Sequence, residues 1–211
     1  MCFMHCRIYN ARILIAHCSL LIALSLALPA AAQVSDVKVI PADSLYMLQS
    51  TFARTTELLW EKSDVFFHKG EFERCIAMLR IITEMDPSDT EAFAVGAWLM
   101  DSVDREGEAQ AFLEKGLAQN QERYDLYDEL GMFCFRKNDF DKSAEYYEKA
   151  VSFEDCPVIT WHALAHAYEQ GGQIDKAIKT WEHISVLELD NPVVKLNLDR
   201  LKEIESSKDS R

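Results

Sequence analysis

The feature that most constrains this chain is an internal period of 34 residues. Leu59, Phe93, Tyr127 and Trp161 form a bulky column, each 34 positions after the last. Four residues on lies a small column, Ser63, Ala97, Gly131 and Ala165, and three further an apolar one, Phe66, Met100, Cys134 and Tyr168. Turn formers follow at Gly70, Asp104, Asn138 and Gly172. Then come small Cys75, Ala109, Ser143 and Ala177, bulky Leu79, Leu113, Tyr147 and Trp181, and Ile82, Gly116, Ala150 and Ile184. Seven columns keep their character through four units without an insertion. Apolar positions recur at offsets of three and four, the helical period. The turn former splits each unit into two helices of about 14 residues. Small residues sit where two helix axes must approach closely, and large ones fill the space beside them. One helix pair cannot bury its apolar face alone, so stacked neighbours must do so. The spacing therefore predicts an all-α fold, an α-solenoid of four helix-turn-helix units.

Composition agrees. The chain has 211 residues, 49% hydrophobic and 27% charged, which rules out a disordered polymer. Seven Gly and five Pro leave little room for the turns of a β-sandwich. A net charge of -13 disfavours nucleic acid and anionic membrane surfaces, which would repel it.

The motif residues resemble the tetratricopeptide repeat (TPR), whose pattern is W-x2-L-G-x2-Y, then A-x3-F, then P. Trp161, Leu164, Ala165 and Tyr168, then Ala177 and Trp181, follow it closely, as do Tyr127, Leu130, Gly131 and Tyr147. Gly70-Glu71-Phe72 and Asp86-Pro87 match the turns of the first unit. Departures occur: Lys62 stands where the motif has Leu, and the closing Pro, present as Pro87, is replaced by Gln121, Asp155 and Leu189. The resemblance covers residues 56–191, as repeats 56–89, 90–123, 124–157 and 158–191, and implies a right-handed superhelix. Residues 33–55 read as an extended lead-in and a helix; Asp43 or Ser44 can cap that helix, and no breaker separates it from the first repeat helix. Residues 192–211 read as a polar-backed capping helix to about Glu205, then a frayed tail.

Residues 1–32 read as a secretory signal peptide. Arg7 and Arg12 precede a mostly apolar run, Ile13 to Leu28; Pro29 and Ala30-Ala31-Ala32 follow, and no acid occurs before Asp36. The order predicts cleavage between Ala32 and Gln33, export to a periplasm or the extracellular space, and no stable membrane insertion thereafter; an uncleaved anchor is the competing reading. Cys18 follows His17 in mid-run and does not fit a lipoprotein site. Cleavage leaves Cys75, Cys134 and Cys156, an odd number, so no disulfide framework is expected.

Catalytic motifs are missing: no Gly-rich phosphate loop, no Cys-x-x-Cys and no Gly-x-Ser-x-Gly elbow occurs. His162, His166 and Glu169 share one helix face and form the alternative, a metal site. A metalloprotease helix needs Glu after its first His, and Ala163 stands there. The expectation is a non-enzymatic interaction scaffold without a cofactor.

In the resembled family the first helices line a concave groove that grips partner segments. Four columns would line it here: Glu57, Glu91, Asp125 and Ile159; Trp60, Ala94, Asp128 and His162; Asp64, Trp98, Met132 and His166; Phe67, Asp101, Phe135 and Glu169. Seven of these sixteen are acidic, seven apolar and none is Lys or Arg. Trp60 and Trp98 lie outside the packing columns, which marks them as anchors. Asp64, Asp101, Asp125 and Asp128, read as unopposed, would draw in a protein or peptide segment carrying Lys or Arg. The same count speaks against clamping a terminal carboxylate, which takes Lys and Asn.

Overall fold

The computed structural model describes residues 41–209, so the expected signal peptide and most of the expected lead-in lie outside the described residues. Ala42–Arg211 forms one compact unit. The described residues contain nine helices and no strand. They are α1 (Ala42–His68), α2 (Phe72–Met85), α3 (Thr90–Ser102), α4 (Glu106–Gln119), α5 (Asp125–Arg136), α6 (Phe140–Ala150), α7 (Val158–Gln170), α8 (Ile174–Leu187) and α9 (Pro192–Asp209). Each helix packs on the next, and α3 also touches α5 and α5 touches α7, so the odd-numbered helices form one layer of a solenoid.

The turn-former column explains the sharp reversals. Gly70, Asp104, Asn138 and Gly172 all have positive φ, between 60° and 73°. At each one the following residue donates its N–H back across the turn: Glu71 to Phe66 O, Arg105 to Met100 O, Asp139 to Cys134 O and Gln173 to Tyr168 O, at 2.8–3.0 Å. This six-to-one bond closes the first helix and aims the chain into the second. Side chains start three of the later helices: Asp89 Oδ1 accepts Ala92 N–H at 3.0 Å, Asp139 Oδ1 accepts Lys142 N–H at 3.4 Å and Asn191 Oδ1 accepts Val193 N–H at 2.9 Å.

The small columns allow the close approach that the period required. Ser63, Ala97, Gly131 and Ala165 are buried, as are Cys75, Ala109, Ser143 and Ala177. A Cβ on Gly131 would lie 2.8 Å from the Tyr147 ring, and the Ser143 hydroxyl donates to Gly131 O at 2.8 Å. In the second bulky column Leu79, Leu113, Tyr147 and Trp181 are all buried, while Trp161 of the first is half-buried with its ring centroid 4.2 Å from that of His183.

Helix α1 is one continuous rod of 27 residues that runs unbroken into the first repeat, as the lack of a breaker allowed. Helix α9 continues past Glu205 to Asp209, so its last turns are helical. Val194 and Leu201 bury against α8, and Pro192 occupies the first helical position, where its missing N–H costs nothing. Among the described residues, no helix is long and apolar enough to cross a membrane.

Candidate functional site: the face of the odd-numbered helices

Side chains of α1, α3, α5, α7 and α9 meet along one face as a ladder of cross-helix contacts. From α1 to α3, Phe67 and Trp98 lie with ring centroids 6.1 Å apart. From α3 to α5, the Thr90 hydroxyl donates to Asp125 Oδ2 at 2.6 Å, and Asp101 accepts from Arg136 at 3.3 Å. From α7 to α9, Arg200 donates to both oxygens of Glu169.

The two indoles expected to be anchors part company. Trp98 is 48% exposed and adjoins Phe67, which in turn lies 5.9 Å from Phe72. Trp60 is 6% exposed, and its Nε1–H donates to Asp89 Oδ2 at 2.9 Å. Trp60 is therefore a core residue, and the anchor role expected for it is withdrawn. The cause is local: Asp89 caps α3 with one oxygen and holds the indole with the other, so the first unit is locked to the second. Met132 is exposed; Phe135 is half-buried with its ring 5.3 Å from that of Phe140.

The carboxylates are not uniformly unopposed either. Asp101 has a side chain only 13% exposed, paired with Lys137 Nζ at 2.8 Å as well as with Arg136. Asp125 pairs with Arg123 at 2.6 Å, and Asp64 with His68 at 3.1 Å. Sequence reasoning missed these cations because they sit just outside the four columns. Arg136 and Lys137 follow Phe135 directly, and Arg123 precedes Asp125 by two residues.

What remains open is on α5. Asp128 and Glu129 are half-buried, and the nearby cations Arg123 and Arg136 are turned to Asp125 and Asp101. Burial raises the Asp128 carboxyl above its ordinary range; the Thr160 hydroxyl opposes this and Asp125 adds to it. Burial also pushes Glu129 up to about 7, with Asp128 and then Asp125 adding to the rise and Arg136 opposing it. Glu129 was not among the expected site residues; it stands one position after the Asp128 column, and only the burial of its helix face singles it out.

The metal alternative fares differently. His162 Nε2 lies 3.0 Å from Glu188 Oε2, and its ring meets Trp181 edge-on at 5.0 Å. Glu169 is held by Arg200, and His166 Nδ1 is 3.9 Å from Glu169 Oε2. A guanidinium already occupies the carboxylate that a metal would need, and its charge opposes a second cation. Among the described residues no group of three His, Cys, Asp or Glu side chains is placed to hold a metal ion, so the alternative reading of His162, His166 and Glu169 as a metal site finds no support. Burial lowers the affinity of His166 for a proton, with Glu169 opposing and His162 and Arg200 adding.

Residues 48–198 match the family model described as ChAPs (Chs5p-Arf1p-binding proteins). A curated relative is the tetratricopeptide repeat domain-containing protein PYG7, chloroplastic, of Arabidopsis thaliana. It is 27% identical over 122 residues, 56% of this chain and 40% of that one, so this chain spans well under half the length of that relative. Among solved structures, the MamA protein superposes with a TM-score of 0.61 at 18% identity, over 75% of this chain and 86% of MamA. PilF of Pseudomonas aeruginosa gives 0.60 at 18%, over 74% and 72%. YrrB, described as a TPR protein with an unusual peptide-binding site, gives 0.56 at 17%, over 74% and 84%. These likenesses show the fold.

Proposed function

The chain belongs to the ChAPs (Chs5p-Arf1p-binding proteins) family, and from that premise we propose that it is a non-enzymatic protein-interaction scaffold whose odd-helix face grips a segment of another protein. The observation that carries this reading is Trp98. A half-exposed indole on a helix face costs hydration free energy in the isolated protein, and a partner that covers it recovers that cost. Its fold does not need the bulk: the same column holds Asp64, Met132 and His166. Family and neighbour point the same way, since the family is described as binding other proteins and YrrB as having a peptide-binding site.

The segment that fits is apolar and carries Lys or Arg. Trp98, Phe67 and Met132 supply the apolar contact. Asp128 supplies a carboxylate, and Glu129 a second once it gives up its proton, with no neighbouring cation turned to either, which favours a cationic partner and disfavours an acidic one. Asp64, beside His68, adds charge at one edge, while Asp125, paired with Arg123, and Asp101, paired with two cations, contribute less. The partner sits outside the cytoplasm if residues 1–32 direct export as their order suggests, with cleavage between Ala32 and Gln33.

The test begins with crosslinking and pull-down of the native protein, with partners identified by mass spectrometry. The captured segment is then titrated in two forms, unaltered and with its Lys and Arg replaced by Glu. The expected result is loss of binding in the second form. Equal binding of both forms rules out the charge preference, and failure of Trp98→Ala to weaken either one removes the site. N-terminal sequencing of native protein checks the export reading, which fails if residues 1–32 remain attached.

A further inference from the structure

Helix α1 begins long before its core does. Every residue from Pro41 to Arg54 is exposed, and the first buried one is Thr56. At 1.5 Å per residue this is about 20 Å of helix extending beyond its own packing. Leu45, Leu48 and Phe52, each about half exposed, recur at offsets of three and four. Carried down the helix, their face becomes that of Thr56, Leu59 and Ser63, which packs against α2. The stripe thus continues an established interface past the point where α2 ends. A helical segment of this length is marginal in water unless its apolar face is covered.

Charge says what covers it. The chain carries a net charge of -13, so two copies repel over most of their surfaces. Between Ala42 and Thr55 the charged residues are Asp43 and Arg54, opposite in sign and both on the side of the helix away from the stripe. A charged partner finds nothing here to pair with, whereas a second copy meets no repulsion. Symmetry adds a stricter condition. In an antiparallel helix pair the positions flanking the apolar seam face their own equivalents, so any charge there would repel itself. Those positions are Gln49 and Thr51, both uncharged.

We infer that the α1 extension is a self-association surface, which pairs antiparallel with the same segment of a second copy about a two-fold axis near Ser50. Leu48 of each copy then packs on Phe52 of the other, and Leu45 faces Thr55. The dimer carries two partner-binding faces, so a partner with two suitable segments gains avidity.

Sedimentation of the natively processed protein tests this between about 1 and about 100 µM, the range of a small interface. The expected result is a concentration-dependent rise from monomer to dimer. Leu48→Glu with Phe52→Glu should remain monomeric throughout, with the same thermal midpoint as the native protein measured as a monomer at the low end of that range, because neither residue is buried in the monomer. In a Cys156→Ser background, Gln49→Cys should form a disulfide-linked dimer on mild oxidation and Met47→Cys, on the far face, should not. Monomer at about 100 µM overturns the inference. So does a dimer that survives the double variant, or one that is lost instead with Leu187→Glu and Leu196→Glu at the exposed α8–α9 end.

Discussion

Arg200 of α9 grips Glu169 of α7 with two guanidinium nitrogens, at 2.6 and 2.8 Å from the two carboxylate oxygens. Such a fork-on-fork pair fixes orientation as well as distance. It ties the terminal helix to the first helix of the preceding repeat, alongside the apolar contacts of Val194 and Leu201 with the neighbouring core. The pair converts a stray carboxylate on the groove face into a structural joint.

Arg200→Met should therefore loosen α9. The arginine hydrogen bonds hold the Glu169 carboxyl below its ordinary range, with burial opposing. A carboxyl so depressed stabilises the fold above its unfolded value, near pH 4.5, and the contribution disappears as pH falls through the lower folded value. The loss at pH 7 should be about 1 kcal/mol, discounted because the arginine is partly exposed. Thermal melts at pH 7 and pH 3 check it: the gap between variant and native should narrow at the lower pH.

Glycine substitutions should divide by what a Cβ meets. At Gly131 it would sit 2.8 Å from the Tyr147 ring, in a turn of α5 packed on α6, and Gly131→Ala should cost about 1–3 kcal/mol. Gly107, in the exposed first turn of α4, has open space around its would-be Cβ, so Gly107→Ala should be neutral or stabilise by up to about 1 kcal/mol. Denaturant midpoints of the two variants should move in opposite directions or differ by more than the error of the pair.

The left-handed turns predict a gain. Asp104 and Asn138 hold φ of 61° and 60°, a conformation that Gly70 and Gly172 adopt in the equivalent turns without a Cβ in the way. Asp104→Gly should stabilise by about 0.5–1 kcal/mol at most, since the entropy that Gly adds to the unfolded chain offsets part of the strain relieved. A fall of more than about 1 kcal/mol in a urea titration would mean that the Asp104 side chain holds the turn itself.

Glu129 should make the face pH-sensitive. With a folded value near 7 against 4.5 unfolded, the native state holds more protons between those values, so Glu129 lowers stability as pH rises through that window. Glu129→Gln should raise the unfolding free energy at pH 8, by an amount on the order of 2 kcal/mol or less, and change little at pH 4. Binding runs the other way. A partner Lys or Arg favours the ionised carboxylate, so affinity for the captured segment should rise from pH 6 to pH 8 with proton release. Calorimetry in two buffers of different ionisation enthalpy reads that release directly, and an affinity flat in pH removes Glu129 from the contact.

How legible these features were in the sequence depends on the range over which they act. The turn column was legible because one residue with positive φ suffices to reverse a helix pair, and the 34-residue period repeats it four times. Gly131 against Tyr147 was legible for the same reason: small and large columns are each other's complement. Trp60 was not, because its burial comes from Asp89, 29 residues away and outside every column. Its counterparts Ala94, Asp128 and His162 are half-buried and offer no warning. Counting charges along four columns failed at Asp101 because Lys and Arg have long side chains. They reach the face from Arg136 and Lys137, one or two positions beyond its rim.

Trp98 and Trp60 together give the sharpest test. Both fall outside the apolar columns of the repeat, yet one is half exposed and the other buried. Trp60→Ala removes a core indole and leaves Asp89 without that donor, so it should destabilise by about 3–5 kcal/mol. Trp98→Ala removes a half-exposed ring that lies against Phe67, and should lower stability by less than about 1 kcal/mol. Binding should reverse the order. Trp98→Ala should weaken the captured segment by about 1–3 kcal/mol, as truncation of a moderate interface anchor does. Trp60→Ala, assayed well below its melting point, should bind with nearly native affinity. Salt adds a second axis: the association rate should fall as ionic strength rises in the native protein, and Asp128→Asn with Glu129→Gln should flatten that dependence without shifting the Trp98 contribution. A Trp98→Ala variant that unfolds, or that binds as the native protein does, places the partner elsewhere on the solenoid.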